Sequence, residues 1–153
     1  MKENMSLKIL VDADACPVKD EVYKVAFRYQ VPVLVVANSF MRVPEHALVE
    51  RVIVAAGPNV ADDYIAERAN ELSVVITADI LLADRAIKVG ASVIAPNGKP
   101  FTENSIGSAI AVRAIMADLR AGGDVIGGPP PFAKKDRSRF LSALDETLVR
   151  LRG

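Results

Sequence analysis

One cysteine, Cys16, and one histidine, His46, are all that 153 residues supply of those two residue types. A single thiol excludes an intrachain disulfide and a cysteine-based zinc cage, and it fits a reducing compartment, so a cytoplasmic protein is expected. Thiol catalysis is short of parts as well. Cys16 would need His46 as its base, and Asp12 and Asp14 nearby favour its protonated form. Long apolar runs are also missing. Residues 31–37 are among the longest, well below the roughly 20 needed to cross a bilayer. Residues 1–6, with Lys2 and Glu3, lack the apolar region of an export signal. No P-loop, G-x-G-x-x-G fingerprint or G-x-S-x-G elbow is present, which removes support for ATP-driven and hydride-transfer chemistry. Nineteen basic residues balance nineteen acidic ones, so net charge provides no general attraction to nucleic acid or anionic lipid.

What is present is an apolar content of 51% in a length typical of one domain, taken as residues 1–153. Short apolar runs at 7–11, 31–37, 49–56, 74–77 and 92–95 read as strands covered on both faces. Between them stand segments with helical spacing. Pro17 suits a first helical position, with Val18, Val22, Val25, Ala26 and Tyr29 as its stripe. Asn59 can cap a helix over 59–72, and another spans 80–89 and stops at Gly90. Asn97-Gly98 predicts a small edge hairpin over 93–101. Helices over 105–120 and 137–152 follow, separated by Gly127-Gly128-Pro129-Pro130-Pro131-Phe132, which is neither helix nor central strand. The alternation predicts an α/β fold: a mostly parallel, doubly wound sheet of about five strands flanked by helices, with an edge hairpin and a C-terminal helix.

Charge is unevenly placed. From Asp12 to Asp84 there are twelve acidic and six basic residues, and from Lys134 to Arg152 six basic and three acidic. Asp12 and Asp14 end the first strand, and residues two apart on an extended chain point the same way, so both can serve one cation; either also suits a helix cap. Asp62 and Asp63 open a helix, where the dipole favours acids. Asp62 aligns with Ile65, Ala69 and Leu72 on the inward stripe, which makes it the first choice over Asp63. Asp79 follows the fourth strand and also suits an N-cap; Asp84 also suits a pairing with Lys88, four residues on. Together these acids form an oxygen-only set suited to Mg²⁺ or Mn²⁺ and to phosphate chemistry. Asp12, Asp14, Asp62 and Asp79 are the catalytic candidates, with Asp63 and Asp84 added as metal candidates. Lys134, Lys135, Arg137 and Arg139 read either as a solvated basic turn or as a phosphate clamp folded back toward the acids. Asn38 and Arg42 complete the candidate substrate-binding set, with RNA or another phosphodiester as the expected partner.

Several segments together resemble the bacterial YaiI/YqxD family, which is placed near the PIN-like nucleases. They are Val11-Asp12-Ala13-Asp14-Ala15-Cys16-Pro17, Ala37-Asn38-Ser39-Phe40, Gly57-Pro58-Asn59-Val60-Ala61-Asp62-Asp63, Ile76-Thr77-Ala78-Asp79, and the glycine- and proline-rich segment through Lys135-Asp136-Arg137. The resemblance implies a PIN-like domain in which a quartet of acids binds divalent metal and cuts RNA. Asp12, Asp62 or Asp63, Asp79 and Asp84 match that quartet by type and position, and Asp14 is an extra. Asp12-x-Asp14 after a buried strand also resembles the first motif of haloacid-dehalogenase-type phosphatases, with Ala15-Cys16 departing from it. A third reading is a non-catalytic nucleotide- or RNA-binding module on the same fold.

Overall fold

The computed structural model describes residues 6–57, 59–123 and 132–152. Its sheet begins with β1 (Lys8–Asp12), in which Ile9, Leu10 and Val11 are fully buried. Alternate residues of a strand face opposite sides, and both sides here are apolar, so both need a helical cover. Ile9 and Val11 join Val33, Val35, Val74 and Ile76 on one face; Leu10 joins Val36 and Val75 on the other. The strands are β2 (Val33–Ala37), β3 (Val49–Ile53), β4 (Ser73–Ile76), β5 (Ser92–Ile94) and β6 (Pro100–Phe101). Their order is β3-β2-β1-β4-β5-β6, with every neighbouring pair parallel except β5 and β6.

Helices α1 (Lys19–Tyr29) and α5 (Lys134–Arg152) cover the first face, with Val22, Val25 and Ala26 of α1 against Phe140, Leu144 and Leu148 of α5. Burying such a side chain stabilises the fold by about 1.5–3 kcal/mol. Helices α2 (Val60–Arg68), α3 (Ile80–Lys88) and α4 (Glu103–Ala121) cover the second face through Ile65, Leu82, Ala86 and Ile106. The doubly wound arrangement agrees with the sequence pattern, and β5–β6 is the expected hairpin, closed by hydrogen bonds from Gly98 N to Ala95 O (2.8 Å) and from Ala95 N to Lys99 O (2.9 Å). Among the described residues no helix is long and apolar enough to cross a membrane.

Several boundaries differ from the sequence expectation, each for a local reason. Pro17 does not start α1. A residue before proline is confined to extended backbone, and Cys16 adopts φ −101°, ψ 110°, so the short 3-10 turn Ala13–Ala15 is cut off from the helix, which begins at Lys19. Asn59 sits in the left-handed region at φ 69° and gives no side-chain cap; its carbonyl accepts from Asp63 N at 2.8 Å instead, and α2 stops at Arg68 rather than 72. α4 begins at Glu103 because Thr102 and Ser105 cap each other reciprocally, side chain to amide, at 2.9 and 3.1 Å. α5 begins at Lys134, not 137, because Asp136 reaches back to accept from Ala133 N at 2.9 Å. β3 ends at Ile53, and its residues are exposed or half-buried because it is an edge strand. No helix links β2 to β3; residues 38–48 cross as an irregular segment, pinned where His46 stacks on Phe27 with ring centroids 4.1 Å apart.

Candidate functional site

The strand order places a reversal between β1 and β4: the chain winds outward from β1 through β2 to β3, then returns to β4 and winds the other way. Crevices in open α/β sheets form at the carboxyl ends of the strands flanking such a reversal. Asp12 is the last residue of β1, and Asp79 stands three residues past β4. A cleft of about 450 Å³ opens there, lined by Asp12, Asp14, Asn38, Asp62 and Asp79 between Gly57 and Pro96. Among the described residues no basic side chain lines it.

Each carboxylate is held from a different element. Counting along the pleat from Leu10 and Val75, Asp12 and Thr77 point to the same face of the sheet. The Thr77 hydroxyl, buried at the end of β4, donates to Asp12 Oδ2 at 2.8 Å and accepts from Asp79 N at 2.9 Å. One side chain thereby positions two of the acids. Asp79 caps α3, its Oδ1 accepting from Leu81 N (2.9 Å) and Leu82 N (3.2 Å), and its carboxylate stands close enough to Asp62, in the first turn of α2, to raise that group's proton affinity. Asp14 accepts from Asn38 N through both oxygens at 3.1 Å, tying the site to the end of β2, while Asn38 Nδ2 donates to Ala55 O at 3.2 Å. Thr77 was not among the sequence candidates. A hydroxyl directly after an all-apolar strand and two residues before an aspartate was the available signal.

Crowding shows in the proton affinities. Burial raises the Asp12 carboxyl above its ordinary value, opposed by the Thr77 hydrogen bond and reinforced by Asp79 and Asp14. Asp62 is raised to about 6 by burial, then by the charges of Asp79 and Asp12 and the hydrogen bond with Asp79. Carboxylates within hydrogen-bonding reach share a proton or a cation. Among the described residues no three His, Cys, Asp or Glu side chains close tightly enough to cage an ion unaided. The donors are all oxygen, however, and the cleft is open, which fits a hard cation that keeps part of its water shell, as Mg²⁺ does with one or two carboxylates and a substrate phosphate.

Other candidates lie elsewhere. Asp63 points away and pairs with Arg85 at 2.7 Å. Asp84 pairs with Lys88 at 2.9 Å; five residues past Asp79, it stands about 7 Å further along the axis of α3. Arg137 donates to Pro17 O (2.7 Å) and Glu21 (3.3 Å) and lies 4.9 Å over the Phe132 ring, so it fastens α5 to the start of α1. That contact brings the start of α5 to the carboxyl edge of the sheet, the side on which the cleft opens. Lys134 and Lys135 are exposed in the first turn of α5, and Arg139 pairs with Asp136 at 3.8 Å. The segment 124–131 lies outside the described residues. Arg42 is exposed on the 38–48 crossover. Cys16 is buried, and burial raises its thiol, which removes it as a nucleophile. A larger groove of about 1200 Å³ runs between α5 and β5–β6, but Arg139 and Arg150 line it together with Glu103 and Glu146, opposite charges with no convergence.

Residues 10–150 match the profile of a family described as uncharacterised and bacterial, YaiI/YqxD. The chain belongs to the YaiI/YqxD family. Curated relatives agree along nearly their whole length. The chain is 68% identical to a UPF0178 protein of Sphingopyxis alaskensis, over 94% of each chain. It is 62% identical to one from Bradyrhizobium diazoefficiens, over 94% of this chain and 86% of the relative, and 59% identical to one from Nitrobacter winogradskyi, over 96% and 94%. No solved structure matches the chain significantly.

Proposed function

We propose that this YaiI/YqxD protein is a divalent-metal-dependent phosphodiesterase acting on RNA. The observation that carries the reading is the meeting of Asp12, Asp14, Asp62 and Asp79 in one cleft with no basic residue among its described lining. Carboxylates crowded together at the carboxyl ends of β1 and β4 and in the first turn of α2 are unfavourable to assemble without a cation to share. One or two of Asp12, Asp14 and Asp79 would hold Mg²⁺ or Mn²⁺ together with water and a substrate phosphate. Such an ion binds phosphate oxygens and activates water for in-line attack. Asp62, raised to about 6, exchanges a proton near neutral pH and serves as the general base or acid at the cleft wall. Asn38 borders the entrance with a fixed side chain, and Lys134 and Lys135, on the same edge of the sheet, bring positive charge for the polyanion. The resemblance to PIN-like nucleases points the same way. A phosphatase using Asp12 as nucleophile would want a lysine in the cleft, and the described lining contains none.

The test is hydrolysis of an end-labelled single-stranded RNA. Cleavage is expected with added Mn²⁺, abolished by chelator and lost in Asp12→Asn. Cleavage that persists in chelator, or at wild-type rate in Asp12→Asn, would overturn the reading, and a phosphorylated Asp12 trapped from a monoester substrate would replace it with the phosphatase.

A further inference from the structure

Phe40 is the most exposed of the large apolar side chains described, at 71%. It stands two residues past Asn38, which lines the acidic cleft. Two residues span at most about 7 Å, the scale of a single nucleotide. Its ring is not loose. Arg51, on β3, lies 4.3 Å from the ring centroid and is fixed there by a 3.3 Å hydrogen bond from its guanidinium to Met41 O. Arg51 pairs in register with Val35, so it stands on the face of the sheet that carries α1. The ring therefore lies round the corner from the cleft, across the end of β2. Beyond it a groove of about 670 Å³ continues along the edge strand, lined by Arg42 and Arg51 and also by Glu45 and Glu50. Among the described residues no ion pair engages Arg42.

We propose that the Phe40–Arg51 stack is a nucleobase platform, on which a base of a single-stranded polynucleotide lies while Arg42 takes a flanking phosphate. The Arg51 guanidinium orders the ring against β3 and leaves Phe40 71% exposed, so a second planar group can stack on it. Arg42 and Arg51 offer a polyanion two cations, partly offset by Glu45 and Glu50 in the same groove, whereas the cleft itself repels one until a metal is present. The path from cleft over Asn38 to Phe40 and Arg42 alternates the requirements of a nucleotide chain: phosphate at the acids, base on the ring, phosphate at the arginine. Base stacking tolerates any sequence but needs unpaired bases, so the substrate class is single-stranded and read with little base preference. This inference rests on the phosphodiesterase reading for what lies in the cleft, but not for the binding itself.

The chain has no tryptophan, so Phe40→Trp installs a unique reporter at the platform. Titrated without divalent metal, its emission should be quenched by a single-stranded oligonucleotide and not by an abasic oligomer of the same length and charge, nor by the duplex. Phe40→Ala, an exposed change that spares the core, should weaken binding of the single strand roughly 5- to 150-fold and leave the abasic oligomer unaffected, with Phe40→Trp restoring affinity. Equal quenching by the abasic oligomer, wild-type affinity in Phe40→Ala, no oligonucleotide binding by the wild type, or a dimer that Phe40→Ala dissociates would each overturn the platform. Binding with quenching but no metal-dependent hydrolysis would leave the platform standing and sink the phosphodiesterase, and hydrolysis without quenching would do the reverse.

Discussion

Asp62 and Asp63 are adjacent on one helix, yet they belong to regions of opposite electrostatic character. On the outer surface of α2 and α3, Asp63 and Asp84 each face a cation, Arg85 and Lys88. In the cleft, Asp12, Asp14, Asp62 and Asp79 face one another, and their charge is moderated by Thr77, by backbone amides and, at Asp62, by the more distant Arg85. The paired acids are what a solvated helix surface does with charge, worth little either way. The cleft acids concentrate charge that the fold does not neutralise, and such groups are retained where function requires them.

The comparison breaks or sharpens most decisively on turnover. Asp14→Asn and Asp79→Asn should each reduce metal-dependent RNA cleavage at least about a hundredfold, while Asp63→Asn and Asp84→Asn stay within about twofold. Asparagine still caps α3 in place of Asp79, so the loss would not reflect unfolding. Equal losses in both sets, measured under single-turnover conditions, would dissolve the distinction between the two regions.

A smaller effect is expected at Thr77. Thr77→Val keeps the shape but removes the donor to Asp12 and the acceptor for Asp79 N, and should cost about 1.5–3 kcal/mol in urea unfolding with chelator present. Thr77→Ser should recover most of it. A valine variant as stable as wild type would mean that Thr77 does not position the acids.

The smallest effect distinguishes the two neighbours on α2 by sign. The Asp62 carboxyl, ordinarily near 3.8, is raised to about 6 in the folded protein, so the native state binds this proton more tightly than the unfolded chain does. Its stabilising contribution is complete below pH 3.8 and is lost as the pH rises through 6. Asp62→Asn should therefore stabilise the metal-free protein at pH 7.5, by less than about 1 kcal/mol because solvent screens a half-open site, and do nothing at pH 3.5. Asp63→Asn should instead lower stability at pH 7.5 by roughly 0.2–1 kcal/mol through loss of the Arg85 pair. Denaturation curves at the two pH values that show the same sign for both variants would contradict the assignment of Asp62 to the cleft and Asp63 to the surface.

Much of the architecture was readable in advance because buried parallel strands write themselves as unbroken apolar runs, and an aspartate just past such a run has only the carboxyl edge to occupy. Helical spacing was enough to separate Asp62 from Asp63. It was not enough for Asp84, whose alternative partner Lys88 lies one turn away and competes locally with any distant site. Arg137 looked like a free cation because its acceptors, Pro17 O and Glu21, lie more than a hundred positions away. Between β2 and β3, residues 38–48 have no strong periodicity and carry Pro44, which disfavours a helix. Thr77 escaped because a lone threonine after a strand says nothing until its two partners are placed.

That helix-free crossover makes the two walls of the cleft mechanically unlike. On one side, Asp62 and Asp79 stand on the first turns of α2 and α3, whose amides are locked in helical ladders over a buried core. On the other, Asn38 and Phe40 ride on residues 38–48, which have no such ladder and only partly buried side chains. Segments with few protected amides open at low free energy. Hydrogen exchange should therefore be fast along 38–48 and slow in α3, so one jaw of the cleft is stiff and the other yields to whatever chain is laid across it.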